Sequence, residues 1–561
     1  MAGHALRATR NPIRRAAFGL VLCWLGVLVA SPAKAQLIIE RTVAVNQTIA
    51  DRTQYVSTLV WENAGLSSIS RVTVGLSLAN AGGSLPTILS QYYASLTHGT
   101  ASETERMATL FSPTSPLGSM TPGYTVESAL DGSWLASNTW SLLVADQVKG
   151  AGSIVWSSWR LAVEGAAVNS GTFRPGPNGR LAVSAGESTA NVGAAVELEG
   201  GSKVTAEAAA NKILRLEGGL TGAGDLETST AAGGKVVVGG NSENFTGVVK
   251  VGGSGTTQLD SVTALGRGTL RQTNGNSVVR LNFAGTLTNA IDVYKVAFAT
   301  NGATLAGTTT VNNAEFDVAQ GNTNTVTGQI TGTGGVTKTG LGTLVLAGTT
   351  TNDFTGSSAV NAGTLHLNKP AGTTAISGST IAVNSGGTLL LGAANQISDS
   401  TQVTMAGGTV ALAGYDETAG RLAVTADSVF DFGTAGAGTN TFTFADFDTA
   451  GYGGVAGLTF NNVGIGSKLV FNTDYSGGGS TTFNTFAAKI SFSDANLQSQ
   501  ISFGGGTTTL TVAAIPDART AWAAGMLCGL IGLVELRRRQ SDGESRRCEA
   551  GRAGSMTPPA C

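Results

Sequence analysis

Residues 332–367, GTGGVTKTGLGTLVLAGTTTNDFTGSSAVNAGTLHL, decide the fold. They are almost all Gly, Thr, Asn, Ser and short apolar residues. Two β-favouring runs, Thr343-Leu344-Val345-Leu346 and Thr364-Leu365-His366-Leu367, sit between turn clusters. Each run is too short to bury a face alone, so the segment makes sense only as part of a stack. A Gly-Thr-Leu unit starts at Gly268, Gly285, Gly342, Gly363 and Gly387, with Gly-Thr-Val at Gly408. From Gly342 through Gly363 and Gly387 to Gly408 the units are nearly evenly spaced, each step the length of one solenoid coil. Gly makes the corner, and Leu or Val points into a shared core. Asn361 and Asn384 are expected at corners, where Asn tolerates left-handed backbone and stacks between rungs.

A longer duplication extends this reading. Leu220-Thr221-Gly222-Ala223-Gly224 leads to Asn244-Phe245-Thr246-Gly247, and Ile330-Thr331-Gly332-Thr333-Gly334 leads to Asp353-Phe354-Thr355-Gly356. The two copies share a Gly-rich opening, an apolar rung and a Phe-Thr-Gly corner. Residues 334–346, and Phe354-Thr355-Gly356 leading to Val360-Asn361-Ala362-Gly363-Thr364-Leu365, resemble the autotransporter-associated β-strand repeat. That resemblance implies a right-handed parallel β-helix, assigned here to residues 180–440. About twelve coils at roughly 4.8 Å would make a rod roughly 60 Å long. An autotransporter also needs a long series of amphipathic strands for a membrane barrel. The sequence after Gly438 is too short for one and ends in an apolar run.

Composition agrees with a stack. Gly accounts for 79 of 561 residues and charged residues for 12%. Hydrophobic residues make up 42%, too many for a disordered chain. A net charge of −2 gives no electrostatic footprint for nucleic acid. None of the four cysteines lies between residues 24 and 527, so the body has no disulfide or thiolate metal site. Phenylalanine is frequent from Phe430 to Phe503, and residues 441–514 read as a β-rich cap on the open end of the stack.

Residues 36–173 have a different texture, with Trp61, Trp134, Trp140, Trp156 and Trp159. Large aromatics signal a conventional packed core. The runs at 69–78, 140–145 and 154–163 alternate as strands of a two-sheet sandwich. Strict alternation puts Trp156 and Trp159 on opposite faces. Residues 70–78, 138–146 and 150–153, with Trp159-Arg160-Leu161, resemble the jelly-roll P domain that accompanies proprotein convertases. The resemblance implies an accessory, binding-type sandwich and no protease. Arg174-Pro175-Gly176-Pro177-Asn178-Gly179 reads as a linker to the stack.

Both ends read as targeting segments. Arg7, Arg10, Arg14 and Arg15 precede the apolar run 18–30. Ala33 and Ala35 are the small residues a signal peptidase reads, so residues 1–35 are a secretory signal cleaved before Gln36. An uncleaved anchor is the alternative. At the other end Pro516-Asp517-Ala518 precedes the apolar run 521–534 and Arg537-Arg538-Arg539. Such a run is marginal for a bilayer of about 30 Å, and the arginines would hold its end on the cytoplasmic side. Residues 515–539 resemble a PEP-CTERM sorting signal of Gram-negative bacteria. The resemblance implies one transmembrane helix and processing by an exosortase-type enzyme. Pro516-Asp517-Ala518 stands where that signal usually has Pro-Glu-Pro, and a polar tail, residues 540–561, follows. A plain membrane anchor is the simpler alternative.

The chemistry-bearing residues are few. Histidine occurs at His4, His98 and His366, and no HExxH, GxSxG or P-loop motif is present. Glu315 and Asp317 share one strand face and read as solvated surface carboxylates, with His366 pointing outward. Asp146 alone is no calcium site and reads as a turn cap. Trp134 and Tyr124 read as core before sugar platform. No catalytic residue, cofactor or metal ligand is assigned.

The expectation is therefore an all-β chain: a jelly-roll-like sandwich, a parallel β-helix, a cap and a C-terminal membrane helix. Its expected role is that of an exported, non-enzymatic surface or extracellular protein, in adhesion or an exopolysaccharide matrix, with surface polysaccharide as the candidate partner. The competing reading is a carbohydrate-active β-helix enzyme, a lyase or hydrolase. A groove with three or more convergent carboxylates or bases would favour it.

Overall fold

The computed structural model describes residues 36–61, 66–80, 92–98, 106–111, 124–126, 139–146, 153–433, 439–477 and 480–515. The chain divides into two units, Met1–Lys34 and Ala35–Cys561, and the second holds every described residue. It is all-β, with a parallel solenoid of right-handed type and about 12 turns.

The front region contains strands β1 (Gln36–Ile49), β2 (Gln54–Val60), β3 (Leu66–Asn80), β4 (Tyr92–His98), β5 (Arg106–Phe111), β6 (Tyr124–Val126), β7 (Thr139–Asp146) and β8 (Ile154–Ala167). They form two antiparallel sheets. One runs β1-β8-β3-β6 and the other β2-β7-β4-β5. Trp61, Trp140, Trp156 and Trp159 are all buried between or beside them. Trp159 donates to Ser57 Oγ at 2.9 Å across the two sheets. Trp156 and Trp159 therefore share the core side, contrary to strict alternation. The reason is a bulge: Ser158 opposes Ser77, but Trp156 opposes Leu78, so Ser157 is an extra residue that shifts the face by one step.

The segment 174–179 does not behave as a spacer. Pro175 and Gly176 are buried, and Trp61 Nε1 donates to the Pro175 carbonyl at 3.2 Å. Beyond it β1 pairs antiparallel with Arg180–Val183, a strand of the first coil, with Glu40 opposite Arg180. One strand thus belongs to both regions, and the edge of the first coil is covered rather than open.

The solenoid coils lay strands on three walls. Arg180–Val183, Lys203–Ala208, Asp225–Thr230, Val248–Gly253 and Thr269–Gln272 stack in parallel on the first. Thr189–Val192, Ile213–Leu216, Lys235–Val238, Thr256–Leu259 and Val278–Leu281 form the second. The third wall continues as a ten-stranded sheet from Gly285–Leu287 to Ile490–Phe492. Five of the six repeat units lie on it, and Thr343, Thr364, Thr388 and Thr409 fall in register. The sixth, at Gly268, lies on the first wall instead, since Thr269 opposes Val248.

One inward column runs Asn324, Leu344, Leu365, Leu389, Val410, Phe430, Phe460 and Phe492. Leu344, Leu365 and Leu389 are fully buried, worth roughly 1.5–3 kcal/mol each. Gly363 is a required corner: its φ is 63°, and a Cβ there would sit 2.4 Å from the Gly342 carbonyl oxygen. The Phe-Thr-Gly corners have a packing cause as well. The buried Phe245 ring fills the space a Cβ on Gly268 would need, 2.6 Å away, and Phe354 stands likewise 3.1 Å from Gly378.

Asn384 Nδ2 donates to Asn361 Oδ1 at 2.6 Å, so the expected Asn ladder is present. Neither residue is left-handed, however; Asn211, Asn313 and Asn395 take that conformation.

The parallel ladder runs past residue 440. Thr441–Phe447 and Lys468–Phe471 continue one wall. On the third wall the last coils lengthen: Val429 is followed in register only at Thr459, and Thr459 only at Ser491. Helix α1 (Ser480–Ala487) inserts Phe483 and Phe486, which stack on Tyr475 and Phe447 with centroids 4.3 Å apart. A hairpin, Leu497–Gly504 and Thr507–Ala514, then pairs antiparallel with Lys468–Phe471 and ends the parallel stack.

Residues 516–561 lie outside the described residues, as does the expected membrane run 521–534. Among the described residues no helix is long and apolar enough to cross a membrane.

Candidate functional site

A cavity of about 220 Å³ opens on the outer face of the shared sheet, where the sandwich meets the first coil. Inward residues of β1, such as Leu37 and Ile39, are buried, so the alternating Ile38 and Glu40 face out. They contribute to the floor with Ala162 of β8 and Thr73 of β3. The rim carries Arg71, Arg160 and Arg180 against Glu40 and Glu164. Register creates this grouping, because Arg71 opposes Glu164 and Glu40 opposes Arg180.

The two kinds of charge are held differently. Glu40 and Glu164 side chains are only 13% exposed, while Arg160 is 44% exposed. Glu40 accepts from Arg160 Nη1 at 3.3 Å and from Arg180 Nη1 at 3.2 Å. Glu164 accepts from the Ser184 hydroxyl and lies 3.9 Å from Arg71 Nε. Arg180 also donates through Nε to Glu207 at 2.5 Å. Burial pulls the Arg180 pKa down, but the hydrogen bonds and charges of Glu207 and Glu40 outweigh it and leave the group above its ordinary range.

A second set of charges lies inside the solenoid. Lys338 is buried, and its ammonium donates to the carbonyls of Thr339, Gly340 and Ala362 at 2.5, 2.7 and 3.2 Å. Lys369 donates to Ala347 and Thr350, both at 2.8 Å. Burial pushes both amines down to about 8. Glu417 accepts from the backbone amides of Gln396, Ile397 and Thr418 at 2.8, 3.3 and 3.1 Å. Burial dominates there and lifts the carboxyl to about 7. These groups terminate backbone amides and carbonyls at corners, where the wall ladders stop.

The residues singled out in the sequence do not converge. Glu315 pairs with Lys295 at 3.0 Å and accepts from Thr339 Oγ1, while Asp317 lies two residues along the same outer face. His366 sits on the outer face between Val345 and Leu390, and burial lowers its pKa. Asp146 accepts from the Arg52 amide at 3.3 Å, capping the turn before β2. Gln36 is the first residue of β1. Ala33, Ala35, Pro516, Asp517, Arg537, Arg538, Arg539 and Trp134 lie outside the described residues. Tyr124 opposes Val74 in β6.

Several other solenoid acids lie in ion pairs between coils. Glu227 meets Lys203 at 2.9 Å and Asp225 meets Lys250 at 2.8 Å on neighbouring coils, and Asp260 reaches Arg215, two coils away, at 3.0 Å. Among the described residues no group of three or more His, Cys, Asp or Glu is placed to hold a metal ion.

Sequence reasoning missed the arginine cavity, because its strands are brought together only by the pairing of β1 with both regions. Lys338 carried a signal: in Val336-Thr337-Lys338 it is in phase with the inward Val336.

Comparison with protein-family models finds no match, and comparison with curated proteins finds none either. What the fold defines is a β-solenoid repeat protein.

Proposed function

We propose that this chain is an exported, non-catalytic structural protein of a Gram-negative cell surface or its surroundings. The observation that carries the proposal is how the solenoid disposes of its charge. Several of its acids engage lysines and arginines of adjacent coils, an arrangement that ties coil to coil rather than gathering reactive groups. The front sandwich, with its P-domain-like strand motifs, is fused to the first coil through β1. The repeat motifs support a passenger-like stalk. The terminal motifs support export through a signal ending at Ala35 and sorting or anchoring near Pro516. An exosortase-type enzyme is the partner proposed for that tail. A mature chain starting at Gln36 keeps every described residue.

Mass spectrometry of the protein recovered from envelope and medium tests this. The expected mature chain starts at Gln36 and is cut near Pro516. An intact tail in the membrane fraction would replace sorting with plain anchoring. An intact N-terminus with the protein in the cytoplasm would overturn the export reading altogether.

A further inference from the structure

We propose that the cavity between β1, β3, β8 and the first coil binds a carboxylated sugar, one hexuronate unit of an acidic glycan. This rests on the surface reading, since an exported chain is the one that meets polymeric uronates. The size fits a single unit: about 220 Å³ is below the roughly 300–1,000 Å³ of sites for drug-sized ligands.

The donor side is available. Arg160 engages Glu40 through Nη1 alone, so among the described residues its Nε and Nη2 have no partner. Arg180 uses Nε and Nη1, which leaves Nη2. A guanidinium with two adjacent donors open is the group best shaped for a carboxylate.

The acceptor side decides the class. Glu40 and Glu164 stand next to those arginines and keep lone pairs for hydroxyl protons. A phosphate or sulfate would meet both carboxylates at close range and be repelled. A uronate offers one carboxylate for the arginines and neutral hydroxyls for the glutamates. Ile38 and Ala162 supply an apolar floor for the ring face. The anion side of the ligand is thereby oriented toward Arg160, and its hydroxyl side toward the glutamates.

The test is isothermal titration of the full chain with trigalacturonate at about 0.15 M salt, with maltotriose as the uncharged comparison. Saturable binding of trigalacturonate and none of maltotriose are expected. Arg160→Gln should weaken binding about tenfold or more. Ala162→Leu fills the floor without changing charge and should weaken it comparably. Both substituted side chains face outward, so melting curves should match the parent. Absence of saturation, equal binding of maltotriose, or parent-like affinity in either folded variant overturns the site. Should Arg160→Gln not fold, Ala162→Leu decides alone. None of these outcomes bears on where the protein is cut or located, so failure here leaves the surface reading standing.

Discussion

The middle coils and the last coils share one wall but fill it differently. In the middle the inward column is leucine, and successive coils bring Leu344, Leu365 and Leu389 into register. At the end it is phenylalanine, and the steps from Phe430 to Phe460 and from Phe460 to Phe492 are visibly longer. The ladder geometry is the same, so the difference lies in circumference. A longer coil encloses more volume, and only larger side chains and an inserted helix keep it packed. Phe430 contacts Phe432, Phe442, Phe444 and Phe460 with centroids 5.6 to 6.5 Å apart. The middle coils hold by repetition, and the end holds by one aromatic cluster.

The largest effect should come from breaking the repeated part. Leu344→Asp places a carboxylate in a fully buried column with no partner. We expect a loss above about 4 kcal/mol, read as the absence of a cooperative melting transition in circular dichroism. A variant melting like the parent would show that the column is not the core. Phe430→Ala should cost roughly 3–5 kcal/mol. The comparison predicts where that loss appears. In hydrogen exchange, protection should fall in residues 428–515 first and stay high near residues 343–391. Uniform loss along the whole stack would make the two regions one cooperative unit.

Gly363→Ala tests the corners of the thin coils. The new Cβ would stand 2.4 and 2.6 Å from two backbone carbonyl oxygens at a left-handed φ. A cost of about 1–3 kcal/mol is expected from thermal melts. An exposed glycine of the wide coils, Gly453, has nothing within 4 Å of its Cβ and should tolerate alanine.

Much of this was legible because a solenoid repeats its own instructions. The Gly-Thr-Leu units marked the third wall, and the Phe-Thr-Gly corners marked equivalent ring-on-glycine contacts. What failed was anything set by a single local event. The extra Ser157 in β8 moved Trp159 onto the core side, and no period-two pattern contains that shift. The Pro-Gly segment at 174–179 had the composition of a spacer, yet Trp61 docks on it. The arginine cavity needed the knowledge that β1 pairs with β8 on one side and Arg180–Val183 on the other. Sequence separation hides such pairings, whereas coil-to-coil pairings recur at a regular interval and announce themselves.

The smallest effect separates the two regions by pH. Glu417 lies where the thin coils give way to the wide ones, since its strand pairs with residues 402–406 and 441–447. Its folded pKa is raised to about 7 by burial, against 4.5 when exposed. Between those values the folded chain holds the proton that the unfolded chain has released. Stability from this group is therefore full below about 4.5 and falls as pH rises through 7. His366 acts in the opposite direction: its folded pKa is lowered, so it adds stability as pH rises through 6.5. Lys338 and Lys369, lowered to about 8, change protonation only above this window. The useful quantity is thus the difference between the parent and Glu417→Gln, in which the histidine cancels. Gln keeps an acceptor for the amides but has no proton to lose. Melting temperatures measured from pH 4.5 to 7.5 should fall more steeply in the parent than in the variant, by a few degrees across the range. Parallel curves would mean that the amides of Gln396, Ile397 and Thr418 hold the carboxylate ionised throughout. The junction would then be a charged corner, as the lysine corners of the thin coils are.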